Sequence, residues 1–142
     1  MRKIAVFGAA SEIARETAKF FAGDGAALFL VGRNEEKLKI IAADLMIRGA
    51  SKADYCVADL NEEKRHECLI QEASDALSGL DTVLIAHGTL SDQKVCQTDF
   101  KMAETELKTN FLSAVSLLTI VANQFEKQKK GCIAVITSVA GD

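Results

Sequence analysis

The 142-residue chain has no proline and no tryptophan, a single tyrosine, two histidines and four cysteines. Without proline, and with only short connections between apolar segments, nothing reads as a linker, a repeat or a low-complexity tract. Cys56, Cys68, Cys96 and Cys132 include no C-x-x-C pair and no short-range histidine partner at a ligand spacing. Neither a metal centre nor a disulfide framework is expected, and the thiols read as small buried apolar groups of a cytoplasmic protein. Positive charge is not in excess: 17 basic against 20 acidic side chains leave a net charge of −3. That balance argues against a nucleic-acid or anionic membrane surface as partner. The basic cluster Lys127 to Lys130 stands just before Gly131, where cations favour a helix C-terminus. No apolar run is long enough for a membrane span. The run behind Met1-Arg2-Lys3 breaks at Gly8 and is expected to be a first strand rather than a signal peptide, and Thr109 to Phe125 carries Asn110, Ser113, Ser116 and Asn123.

What the chain does have is an ordinary globular composition, 49% hydrophobic and 26% charged, in one domain spanning residues 1–142. Five short apolar runs occur at Ile4–Phe7, Ala27–Val31, Asp54–Val57, Thr82–Ile85 and Cys132–Ile136. Continuous rather than alternating hydrophobicity suits strands buried on both faces of a parallel sheet. Helical patterns separate them. Ile13, Ala14, Thr17, Ala18 and Phe21 share one face, and Leu38, Ile41, Ala42 and Leu45 another, after a cap at Asn34 and before a stop at Gly49. Asn61 is placed to cap a third helix that runs through Leu77 and ends at Gly79. A fourth helix is expected over Asp99 to Phe125, with a stripe of Leu107, Phe111, Val115, Leu118, Ala122 and Phe125. Apolar residues widen that stripe almost all round, so a partner chain is expected to cover it in a homo-oligomer. The alternation predicts an α/β, doubly wound, Rossmann-type parallel sheet in three α/β/α layers, ordered 3-2-1-4-5. Ligands of such sheets bind at the carboxyl ends of the strands, around the switch point between strands 1 and 4.

The most informative segment lies at that point. Ile4-Ala5-Val6-Phe7 leads into Gly8-Ala9-Ala10-Ser11-Glu12-Ile13-Ala14 and then a helical pattern. A strand, a small-residue turn and a helix N-terminus present unpaired N–H groups and the positive end of a dipole to an anion. Gly8 supplies the freedom of φ that the turn requires.

With that turn, the motifs Val31-Gly32-Arg33-Asn34, Ala58-Asp59-Leu60, Leu80-Asp81, Ala86-His87-Gly88, Asn110 and Ile136-Thr137-Ser138-Val139-Ala140-Gly141 occur in order. In this the chain resembles the N-terminal part of the short-chain dehydrogenase/reductase family over essentially its whole length. The resemblance implies hydride transfer between a nicotinamide cofactor and a small-molecule alcohol or carbonyl substrate. It implies Ser138 as the substrate-orienting serine and Asn110 as the helix asparagine of a water relay. Gly8, Ala10, Ser11, Glu12 and Ile13 would belong to the pyrophosphate turn. Asp59 and Leu60 would border the adenine, and Ala86, His87 and Gly88 the adenosine side of strand 4. Arg33, with Asn34 beside it, stands where the family separates NADP from NAD. A guanidinium there pairs with a 2′-phosphate, so NADP is expected in preference to NAD.

The chain departs from the family in three places. Glu12 replaces the middle glycine of the turn and is expected to point to solvent. Ile85-Ala86-His87-Gly88 replaces the usual Asn-Asn-Ala-Gly. The catalytic Tyr-x-x-x-Lys is absent: the single tyrosine, Tyr55, has Asp59 four residues on. The chain is therefore expected to be part of a longer enzyme and inactive alone. The alternative is a non-catalytic dinucleotide-binding module that senses redox state or docks a partner. His66, among Lys64, Arg65 and Glu67, reads as a solvated helix residue, and His87 as a crevice residue outside any acid/base relay.

Overall fold

The structure, a computed structural model, describes residues 1–138. Five parallel strands, β1 (Lys3–Phe7), β2 (Ala27–Gly32), β3 (Lys52–Val57), β4 (Thr82–Ile85) and β5 (Cys132–Val135), form one sheet in the order β3-β2-β1-β4-β5. The Rossmann-type architecture and strand order are those expected. β1 lies at the centre, with Val6 opposite Leu30 of β2 and Leu84 of β4. All of β2 is buried, whereas the outer strands β3 and β5 are partly open, which fits their places at the sheet's margins. β3 starts at Lys52 rather than Asp54 because its pairing extends back to Ala27, and β5 ends one residue before Ile136.

The sheet divides the core in two. On one side Ile4, Val6, Leu28 and Leu30 pack under α1 (Glu12–Gly23) and α2 (Glu35–Ile47). On the other, Phe7, Phe29, Val31 and Ile85 pack under α3 (His66–Leu77) and α6 (Ser113–Gln128). Two short helices, α4 (Gln93–Thr98) and α5 (Phe100–Leu107), precede α6. Asn34 caps α2 as expected, accepting from the Lys37 N–H at 2.9 Å.

Several local expectations are corrected. The buried face of α1 is Ala14, Ala18 and Ala22; Ile13, assigned to that face, is 57% exposed. The single helix over Asp99 to Phe125 is instead α5, a π turn at Lys108–Leu112, and α6. The Ser113 N–H reaches back to the Lys108 carbonyl, five residues away, so one extra residue enters the turn. That residue rotates the following face by about 100°. Ser113, Leu117, Val121 and Phe125 turn inward, while Leu107, Phe111 and Val115 of the expected stripe are exposed. Asn61 does not cap the third helix; its amide donates to Thr109 Oγ1 at 3.0 Å, and a 3-10 turn at Glu63–Arg65 leads into α3. His66 is fully buried rather than solvated, because the same turn aligns it with Leu69, Ile70, Ala73 and Leu77. Nor are the thiols all buried: Cys68 and Cys132 are exposed, Cys56 and Cys96 intermediate.

Candidate functional site

β1 ends in Gly8, whose φ of +82° is one that residues with side chains rarely adopt. The Gly8 and Ala9 N–H groups both donate to the Val31 carbonyl, at 2.9 and 3.0 Å, and the Ser11 N–H returns to the Gly8 carbonyl at 3.0 Å. A Cβ on Gly8 would stand 2.5 Å from the His87 backbone nitrogen. Two requirements therefore converge on one glycine, a left-handed φ and a close pass by the backbone after β4. Ser11 then caps α1, accepting from the Ala14 N–H at 3.3 Å. The earlier N–H groups of that first turn have no intrahelical acceptor.

A crevice of about 370 Å³ opens at this carboxyl edge. Of the residues expected from sequence, Gly8, Ala10, Ser11, Arg33, Asp59, Leu60, Ala86, His87 and Gly88 line it together. Glu12 and Ile13 are exposed outside the lining, and Asn34 is occupied as the α2 cap. Arg33 is exposed, stands in no ion pair among the described residues, and is the one Lys or Arg in the lining. The Asp59 carboxylate accepts from the Asn61 N–H at 2.9 Å, a local turn that fixes its direction.

The opposite wall comes from the segment before α6. Asn110 sits in the π turn and clamps Thr89: its Oδ1 accepts the Thr89 N–H at 2.7 Å while its Nδ2 donates to the Thr89 carbonyl at 2.8 Å. Glu106 completes this knot, accepting from Thr89 Oγ1 at 2.7 Å and from Asn110 Nδ2 at 3.1 Å. Sequence reasoning missed Asn61, Thr89, Thr105, Glu106 and Thr109, all of which line the crevice. The signal was the polar run Thr105-Glu106 with Thr109, one turn apart on the face beside Asn110. Ser138 is exposed beyond the end of β5, and Val139 to Gly141 of its motif lie outside the described residues.

Behind the wall lies a buried polar chain. Ser113 Oγ donates to the Thr109 carbonyl at 2.7 Å, so it must accept from His87 Nε2 at 2.6 Å. His87 therefore carries its proton on Nε2, leaving Nδ1 a buried acceptor without a partner among the described residues. By the same logic His66 Nε2 donates to the Leu60 carbonyl at 2.9 Å, and Nδ1 accepts from Ser116 Oγ at 2.9 Å. Burial, and then the proximity of His66, push the His87 imidazole down to about 4. Burial also lowers His66, against the favourable bond to Leu60. Both rings are neutral near pH 7, so Arg33 dominates the positive field at the crevice. The arrangement suits an extended anionic ligand, with one end at the Gly8 turn and another at Arg33.

The comparisons with known proteins agree with this geometry. A family model described as short chain dehydrogenase matches residues 2–142. A hydroxysteroid 11-beta-dehydrogenase 1-like protein of Xenopus tropicalis is 31% identical over 96% of this chain and 48% of its own length. Among solved structures, a citronellol catabolism dehydrogenase of Pseudomonas aeruginosa superposes with a TM-score of 0.84. It is 26% identical, with 97% of this chain and 56% of that one covered. A 7 alpha-hydroxysteroid dehydrogenase in complex with NADH and 7-oxo glycochenodeoxycholic acid gives a TM-score of 0.88. There the identity is 25%, over 98% of this chain and 54% of that one. The chain thus spans about half the length of the relatives it matches. From its sheet, its turn and these matches, the chain belongs to the short-chain dehydrogenase/reductase family of oxidoreductases.

Proposed function

We propose that this chain is the cofactor-binding portion of an NADP-preferring oxidoreductase, which in its complete form moves a hydride between NADP(H) and an alcohol or carbonyl carbon. The observation that carries the reading is Arg33, in no ion pair among the described residues, in the lining of a crevice that also takes in the Gly8 turn and Ser11 at the start of α1. The donor set fits a dinucleotide phosphate: backbone N–H groups at one end and a guanidinium at the other. When bound, the nicotinamide cofactor supplies the hydride chemistry. The chain's own residues bind and orient. Gly8, Ala10 and Ser11 approach the pyrophosphate, Asp59 and Leu60 border the adenine, and Ala86 to Gly88 flank the adenosine. Ser138 holds the substrate oxygen, and Asn110, locked onto Thr89, keeps the π turn in place behind the crevice wall. The chain carries no tyrosine followed four residues later by lysine, so it turns over no substrate by itself. Exposed Phe100, Leu107, Phe111 and Val115 support a second copy packing on the segment over residues 99–125.

The test is a fluorescence and thermal-shift titration of this chain with NADPH and NADH, for wild type and Arg33→Glu. Wild type is expected to bind NADPH more tightly. The variant is expected to lose about tenfold to a hundredfold in NADPH affinity, as a charge-assisted hydrogen bond of roughly 1.5–3 kcal/mol disappears. Equal losses for both cofactors, or none, refute the role of Arg33.

A further inference from the structure

The crevice lining carries a charge that the phosphate contacts do not use. Among its residues Arg33, Asp59 and Glu106 have charged side chains, and Glu106, on α5, is half-buried. Its Oε1 accepts from Thr89 Oγ1 at 2.7 Å and its Oε2 from Asn110 Nδ2 at 3.1 Å. Both donors are neutral, and Glu106 stands in no ion pair among the described residues. The two bonds therefore fix the carboxylate in place without cancelling its charge. The sheet order sets which part of the crevice feels that charge. Asp59 follows β3, Arg33 follows β2, Gly8 follows β1, and Thr89 comes after β4, on four successive strands of the sheet. Glu106, bonded to Thr89, thus belongs to the β4 side of the Gly8 turn, and Arg33 and Asp59 to the opposite side.

We propose that Glu106 is a specificity-determining residue for the redox state of the cofactor, favouring the oxidised form, NADP+, over NADPH. The inference rests on the cofactor reading above. With the 2′-phosphate at Arg33 and the pyrophosphate at the Gly8 turn, the nicotinamide half extends to the β4 side, where Glu106 lies. The two forms carry the same phosphates and differ by one positive charge, on the nicotinamide ring of NADP+. A fixed carboxylate attracts that charge and gains nothing comparable from the neutral dihydronicotinamide. Arg33 and Asp59, on the adenosine side, meet the same groups in both forms. Glu106 thereby acts on the difference between two ligands rather than on their shared affinity.

Calorimetric titration of the chain with NADP+ and with NADPH, for wild type, Glu106→Gln and Glu106→Lys, tests this. Glutamine keeps an acceptor for Thr89 and removes the charge, and lysine reverses it. The ratio of NADP+ to NADPH affinity is expected to fall by about threefold to tenfold in Glu106→Gln, and further in Glu106→Lys. Arg33→Glu, by contrast, is expected to weaken both forms alike and leave the ratio as it is. A loosened Thr89–Asn110 knot would also weaken both forms together, so a purely structural role of Glu106 leaves the ratio unmoved. A constant ratio across wild type, Glu106→Gln and Glu106→Lys overturns the proposal while the cofactor reading stands. Wild type that binds neither form overturns that reading, and the inference with it.

Discussion

Replacing Gly8 by alanine tests whether the turn after β1 is set by backbone conformation alone or also by the backbone passing beside it. The φ of +82° costs an L-residue about 1–2 kcal/mol. The new Cβ would also stand 2.5 Å from the His87 nitrogen and 2.6 Å from its Cα, backbone atoms that cannot swing aside. Forcing such a contact into a packed site adds roughly 1–3 kcal/mol. Gly25 separates the two costs, since its φ is +74° but nothing lies within 4 Å of the position its Cβ would take. Gly25→Ala should therefore show only the first loss, and Gly8→Ala about 2–5 kcal/mol in all. Urea denaturation followed by circular dichroism reads both. At a slope of about 2 kcal/mol/M, an excess of roughly 2 kcal/mol in Gly8→Ala shifts its midpoint about 1 M below that of Gly25→Ala. Coincident midpoints would refute the steric argument and, with it, the close approach of His87 to the turn.

Two further predictions concern the polar chain behind the crevice. His87 has a folded value near 4 against an unfolded value near 6.5, so its neutral form contributes stability above pH 6.5 that is lost as pH falls toward 4. With only two histidines in the chain, ring NMR signals titrated from pH 7.5 to 3.5 resolve each, and a His87 midpoint above 6 would contradict its burial. Asn110→Asp keeps the acceptor for the Thr89 N–H but sets a carboxylate against the Thr89 carbonyl and Glu106. It should destabilise by about 1–3 kcal/mol at pH 7 and recover in part near pH 4, as the new carboxyl takes a proton. Faster hydrogen exchange at Thr89 is the local readout.

The strands were legible because each is a compact apolar run, and the β1–α1 turn because Gly8 and Ser11 sit between a buried run and a helical pattern. Two features escaped for different reasons. His66 is flanked by Lys64, Arg65 and Glu67, which hid its alignment with Leu69, Ala73 and Leu77; its register, not its neighbours, decided its burial. The π turn was hidden because the apolar residues of 107–125 are dense enough to draw a stripe in either phase. The inward place of Ser113 becomes intelligible only with His87 as its partner, a contact across 26 positions of sequence that no local pattern contains. Most of the crevice floor was foreseen. Its outer wall of Thr89, Thr105, Glu106 and Thr109 depends on where that turn directs the chain.

α1 rests on the sheet through three methyl groups, those of Ala14, Ala18 and Ala22, over Ile4, Val6, Leu28 and Leu30. Methyl groups act as thin spacers, letting a helix axis settle closer to a sheet than leucine or phenylalanine would allow. Because a helix is stiff over its length, the height of its far end is transmitted to Ser11 at its start. The alanines thus behave like shims under a beam: a methylene added at any of them tilts the end that borders the crevice. The opening at the strand tips takes its gauge from a seam of small side chains buried on the sheet's other side of the turn, none of which lines it.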